Sequence, residues 1–105
     1  KLFGPISDSV VVPHEPSWAR AVYHLYVIRS EDRQELQEYL GRTGIATGIH
    51  YPIPLHLQKA YDFLSYQAGD FPVAERLAAE ILSLPMYPGL REDEVAEACE
   101  AIQAF

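Results

Sequence analysis

Apolar residues in this chain come in short blocks, and their spacing changes from continuous to every third or fourth position. The longest continuous block is Ala21-Val22-Tyr23-His24-Leu25-Tyr26-Val27-Ile28. It is rich in β-branched and aromatic residues and is bounded by polar segments, which predicts a strand. Period two places Val22, His24, Tyr26 and Ile28 on one face and Tyr23, Leu25 and Val27 on the other. On that reading His24 is a partly buried histidine with a hydrogen-bond partner, a binding role being the alternative. Residues 1–9 read as irregular. Val10-Val11-Val12 is a shorter β-prone run that stops at Pro13. The only tryptophan, Trp18, sits in the polar connection that follows and is expected to pack over a core edge.

Helical spacing takes over after Ile28. Ser30 is positioned to cap a helix running to about residue 42, with Glu31 and Asp32 suited to its positive end. Leu36, Tyr39 and Leu40 form its apolar stripe, and Gly41 and Gly44 offer residues able to end it. Residues 45–51 return as a second strand. Gly48 within it signals a bulge or the close approach of another backbone or a ligand. A short helical piece is expected over 57–64. Asp70 then caps a helix containing Pro72, with Ala74, Leu77, Ala78 and Ile81 on one face and Glu75, Arg76 and Glu80 on the other. Residues 82–89 are extended and supply a third strand ending in a Pro-Gly turn. A last helix spans about 91–104, with Val95, Ala98, Cys99 and Ile102 as its buried stripe. Cys99, lying on that stripe, reads as a small core residue rather than a nucleophile.

Strand, helix, strand, loop, helix, short strand, helix gives an α+β fold. It is expected to be a two-layer sandwich in which helices pack on one face of a small, mostly antiparallel or mixed sheet. The length of 105 residues fits one domain, 1–105, and 49% hydrophobic residues supply a core. A net charge of −7 argues against nucleic acid and against an anionic membrane as partners. No apolar run approaches the roughly 20 residues of a membrane helix. No signal peptide is visible, and the single cysteine suits a reducing compartment, so a cytoplasmic protein is expected. The chain starts at Lys1 without an initiator Met, so it could be part of something longer.

The densest chemistry lies in His50-Tyr51-Pro52-Ile53-Pro54-Leu55-His56. Two imidazoles and a phenol stand within seven residues, and two prolines stiffen the backbone between them. An ordered loop of this kind is where binding groups tend to sit. From residue types alone three readings stay open. The rings could bind a ligand. They could pack the loop with their nitrogens on backbone carbonyls. His50 and His56 could also join Asp62 as metal ligands, although a zinc site needs three or four convergent groups. There is no Gly-rich phosphate loop, no paired-cysteine metal motif and no Gly-x-Ser-x-Gly.

Four runs resemble one family. They are Val22-Tyr23-His24-Leu25-Tyr26-Val27-Ile28-Arg29, Thr47-Gly48-Ile49-His50-Tyr51-Pro52-Ile53-Pro54-Leu55-His56, Gly69-Asp70-Phe71-Pro72-Val73-Ala74-Glu75 and Leu82-Ser83-Leu84-Pro85-Met86-Tyr87-Pro88. In this order they are similar to the C-terminal small domain of the DegT family of sugar aminotransferases, enzymes of fold type I that depend on pyridoxal 5'-phosphate (PLP) and serve polysaccharide biosynthesis. The resemblance covers roughly residues 10–105. It implies transfer of an amino group from glutamate or glutamine to a keto nucleotide-sugar in a homodimer whose catalytic lysine lies in a large N-terminal domain. Lys1 and Lys59 stand in no motif matching that lysine. The resemblance therefore implies a domain that carries no cofactor and does not turn over alone. It also implies that His50, Tyr51 and His56 contact the substrate, with Tyr23, His24 and Arg29 as further candidates. A non-catalytic nucleotide-sugar-binding or assembly module is the alternative.

Overall fold

The computed structural model describes residues 10–105; the irregular segment read for 1–9, with Lys1, lies outside them. Three antiparallel strands form one sheet in the order β1-β2-β3: β1 is Val10–Val11, β2 is Tyr26–Ser30 and β3 is Ile81–Leu84. Three helices accompany them: α1 (Arg33–Arg42), α2 (Pro72–Glu80) and α3 (Glu92–Ala104). The α+β class expected from the sequence holds, and the sheet is antiparallel throughout.

Register explains how the sheet is divided. Tyr26 faces Leu84 and Ile28 faces Leu82 across the β2–β3 ladder. These four side chains share one face, because alternate residues point the same way. They join Leu36 and Leu40 of α1, Ala98 and Ile102 of α3, and Val10 and Ile45 in the core. Ile28, Leu36, Leu40, Leu82 and Ile102 are fully buried. Each such side chain contributes about 1.5–3 kcal/mol by leaving water. The opposite parity, Val27, Arg29, Ile81 and Ser83, points away from that core. It is this second face that meets the loop chemistry.

Several local expectations shift. Residues 21–25 are not strand: Tyr23 takes φ +48°, which interrupts extended backbone. Glu15 holds this bend by accepting from the Tyr23 hydroxyl at 2.9 Å and from the Ala21 N–H at 3.3 Å. Val22 is consequently 95% exposed, and His24 is exposed rather than partly buried. Trp18 is 86% exposed and packs over no core edge. Ser30 does not cap α1, because it is the last residue of β2, paired with Val10; Asp32 takes the cap position. Residues 45–51 pair only at Gly48, in a single bridge to Ser83. The Ile45 N–H is instead bonded to the Leu40 carbonyl at 2.8 Å, which uses the start of the expected strand to close the α1 terminus, with Gly44 at φ +87° making the turn. The helical piece near 57–64 consists of two 3-10 turns, Leu55–Leu57 and Lys59–Leu64, separated by extended Gln58. Asp70 accepts from the Gln67 N–H, and Phe71 is the residue that caps α2.

The stripes expected for α1 and α3 hold in their main positions, but that of α2 is reduced to Ala78 with half-buried Leu77, since Ala74 is exposed and Ile81 is the first residue of β3. Leu36 and Leu40 are buried on α1, Ala78 on α2, and Ala98, Cys99 and Ile102 on α3. The first turn of α3 carries Glu92, Asp93 and Glu94, and the Glu94 carboxylate accepts from the Arg91 N–H at 2.9 Å.

Candidate functional site

Two prolines keep residues 50–54 out of both helix and sheet, and Leu55 and His56 enter only a single 3-10 turn, so the loop must be held by side chains. His50 and His56, at its two ends, supply the anchors. His50 Nδ1 lies 2.9 Å from Ser83 Oγ on the outer face of β3. His56 Nε2 lies 2.9 Å from Glu75 Oε1 on α2. Both imidazoles bond side chains, not the backbone carbonyls considered for a packing role. Pro54 to Leu57 then closes a tight turn, with the Leu57 N–H bonded to the Pro54 carbonyl at 3.0 Å.

The anchors are unequal in exposure. The His56 side chain is only 7% exposed, with its ring 4.8 Å from Phe71, which in turn meets Tyr66 edge-on at 5.0 Å. His50 is exposed, and Tyr51 is 70% exposed. Their rings meet edge to face at 5.5 Å. The loop thus buries one imidazole as a bolt and leaves a second imidazole and a phenol facing outward.

Beside the loop lies an open groove of about 570 Å³. Tyr51, Ile53, Leu55 and His56 wall one side; Phe71, Leu77 and Ile81 wall the other. Ile53, Leu55, Phe63 and Val73 are each more than half exposed nearby.

Glu75 organises the groove's far wall. Its carboxylate accepts from Gly69 N–H at 2.8 and 3.0 Å and from Phe71 N–H at 3.4 Å, in addition to His56. The Gly69 amide is the leading cause that holds this carboxyl below the usual carboxylate range, with His56 adding to it.

The remaining candidates lie apart from the loop ends. Arg29 Nε and Nη2 both donate to Glu80 Oε2, at 2.9 and 2.7 Å, tying β2 to the end of α2. Tyr23 is bonded to Glu15, which is the main cause that raises its phenol pKa. His24 has no hydrogen-bond partner among the described residues and stands exposed in the bend before β2. The structure sets His50 against Tyr51 and places Tyr51 and His56 along the same groove, while His50 lines a separate, smaller cleft; Tyr23, His24 and Arg29 line neither. Among the described residues no group of three or more His, Cys, Asp and Glu side chains gathers to hold a metal ion. Asp62 does not converge with His50 and His56.

Sequence reasoning missed Ser83 and Glu75 as partners of the two histidines. A faint signal existed for Ser83: it is the one polar residue in the Ile81-Leu82-Ser83-Leu84 run.

Residues 3–103 match the DegT/DnrJ/EryC1/StrS aminotransferase family. The chain belongs to that family. A pleiotropic regulatory protein of Geobacillus stearothermophilus is 45% identical over 100 residues, covering 95% of this chain and 27% of that protein. The dTDP-3-amino-3,6-dideoxy-alpha-D-galactopyranose transaminase of Aneurinibacillus thermoaerophilus is 42% identical over 84 residues, covering 80% of this chain and 23% of that enzyme. Among solved structures, DesV of S. venezuelae in complex with a ketimine intermediate superposes with a TM-score of 0.87 at 34% identity, over 91% of this chain and 26% of DesV. The chain thus spans about a quarter of the length of the curated relatives it matches.

The family's enzymes are PLP-dependent aminotransferases. Lys59, the one lysine among the described residues, is exposed on the second 3-10 turn. The large groove is walled mainly by carbon, and its buried imidazole is engaged by Glu75. Cradling a phosphate requires convergent N–H donors or cations. No described helix is long and apolar enough to cross a membrane.

Proposed function

We propose that this chain is the small domain of a PLP-dependent sugar aminotransferase and forms a side wall of the pocket that receives a keto nucleotide-sugar. The observation carrying this reading is the loop anchored at both ends by imidazole hydrogen bonds, with His50 and Tyr51 left outward. Sugars and diphosphates are dense in oxygen. An imidazole N–H and a phenol hydroxyl meet them with directed hydrogen bonds, and the phenol ring adds a flat apolar face. Local donors suffice, so the bulk charge of −7 is no obstacle.

His56 lines the groove beneath Tyr51 and contributes its ring edge to the same wall. Tyr23, His24 and Arg29 belong to the margin of the pocket, Arg29 only through release from Glu80. The lysine that binds PLP and the rest of the pocket belong to a large N-terminal domain, which covers the apolar surface around residues 53–73. Glutamate or glutamine serves as amino donor, the working enzyme is a cytoplasmic homodimer, and this domain alone is inactive.

The test is transamination of a keto nucleotide-sugar by the intact polypeptide carrying these residues, comparing wild type with His50→Ala and Tyr51→Ala. KM for the sugar nucleotide is expected to rise about tenfold or more in each, as loss of a directed hydrogen bond or ring contact implies. Unchanged kinetics in both variants would favour an assembly module. Tight binding of a nucleotide-diphosphate sugar by the 105-residue chain alone would favour a non-catalytic binding module, because half a pocket should bind weakly.

A further inference from the structure

Ser83 is a polar residue in a place that packing alone would fill with carbon. It sits between Leu82 and Leu84 in β3 and is 4% exposed. Its backbone N–H and C=O are both taken by Gly48, at 2.7 and 3.0 Å. That leaves the hydroxyl, whose only hydrogen-bond partner among the described residues is His50 Nδ1. A buried hydroxyl costs free energy unless it is bonded, so this one is retained by its histidine.

A second residue is fitted to the same ring. A Cβ placed on Gly48 would lie 2.8 Å from His50 Cε1 and 3.5 Å from Nδ1. The ring therefore lies against the bare backbone of Gly48, and any side chain there would displace it. Gly48 does not have positive φ, so close approach is what glycine provides here. Ser83 and Gly48 form one bridge, and together they fix both the height and the rotation of the imidazole. A cleft of about 190 Å³ opens at this point, with Thr47, Gly48, His50, Ser83 and Met86 in its lining.

We infer that Ser83 is a positioning residue that fixes the rotamer and tautomer of His50, so that the ring presents an Nε2–H donor to an oxygen-rich ligand. The hydroxyl has one donor proton and one partner. Donating that proton to Nδ1 satisfies its sole donor, whereas accepting would strand a buried O–H. The ring proton then resides on Nε2, the nitrogen left without a hydrogen-bond partner among the described residues, on a residue that is exposed as a whole. A sugar hydroxyl or a diphosphate oxygen is the matching acceptor. That final step rests on the substrate reading above; the fixing of the ring does not.

Ring-nitrogen NMR of the 105-residue chain tests the inference. Wild type is expected to show His50 in the Nε2–H tautomer, with a proton–proton contact between its Hε1 and the Gly48 Hα. In Ser83→Ala the contact should fade by severalfold and the two ring nitrogens should move toward averaged shifts, with the amide spectrum otherwise preserved because the Gly48 bridge is backbone. Ser83→Thr keeps a hydroxyl on a strand and should restore the wild-type signature. Gly48→Ala should lose the contact even though Ser83 is intact. An Nδ1–H tautomer in wild type, or a His50 signature unchanged by Ser83→Ala, overturns the inference. A pinned ring in an enzyme whose sugar KM ignores His50→Ala would sink the substrate reading and leave the positioning role standing.

Discussion

His56 and Glu75, nineteen residues apart in sequence, meet at 2.9 Å and lock the loop to α2. The same carboxylate ties down the Gly69 and Phe71 amides, so one side chain joins the loop, the turn before α2 and the helix itself. Glu75→Gln keeps the shape but gives up the charge-assisted character of these bonds. Its melting temperature should fall, and proteolytic nicking within residues 65–70 should speed up. Differential scanning calorimetry and limited proteolysis read the two effects.

The pH dependence of that lock has a definite sign. The Glu75 carboxyl is held below its ordinary value, chiefly by the Gly69 amide. A carboxyl depressed in the folded state stabilises the fold above its unfolded pKa of about 4.3, and that stabilisation is lost as pH falls through the lower, folded value. The gap in melting temperature between wild type and Glu75→Gln should therefore be full at neutral pH and close on acidification below about pH 4. A gap that stays constant down to pH 3 would refute this account.

Leu36 and Leu40 are both fully buried, one turn apart on α1, against the β2–β3 face. Leu36→Ala should cost about 2–5 kcal/mol, measured by urea denaturation. Val22→Ala, at a residue 95% exposed, should stay within about 0.5 kcal/mol.

Arg29 and Glu80 cross-link β2 and α2 through two bonds to one oxygen. A double-mutant cycle with Arg29→Met and Glu80→Gln should return a coupling of roughly 1 kcal/mol, since the pair is partly screened by water. A coupling near zero would mean that Arg29 is free to engage a ligand in solution.

Cys99 lies on the buried stripe of α3, 8% exposed, and burial pushes its thiol pKa up. Both effects suppress the thiolate. An aromatic disulfide reagent should label the native chain slowly and the urea-unfolded chain fully. Fast native labelling would contradict the packing of α3.

Helix stripes were legible in the sequence because periodicity of 3.6 is a local property: Leu36 with Leu40, and Ala98, Cys99 with Ile102, need only their own helix to share a face. The focal loop was legible for the same reason. Pro52 and Pro54 rule out a continuous α-helix or strand through the segment without reference to any partner. The parity of Tyr26 and Ile28 was also correct, although the strand itself begins later. Its misplaced start follows from Glu15, whose bonds to Tyr23 and Ala21 favour a bend over the extended backbone that β-propensity suggests. Residues 45–51 looked like a strand for equally local reasons, but only Gly48 finds an edge to pair with.

The partners of the two histidines belong to a different category. Ser83 is thirty-three residues from His50, and nothing in the spacing of either declares the other. The sequence by itself determined that two imidazoles and a phenol would sit on a stiff loop. Only the tertiary structure decided that His56 is turned inward to Glu75 while His50 keeps an open edge. That choice depends on where α2 and the outer face of β3 lie relative to the loop, and hydrogen-bond geometry of this kind is fixed by packing between elements, not by the composition of any one of them.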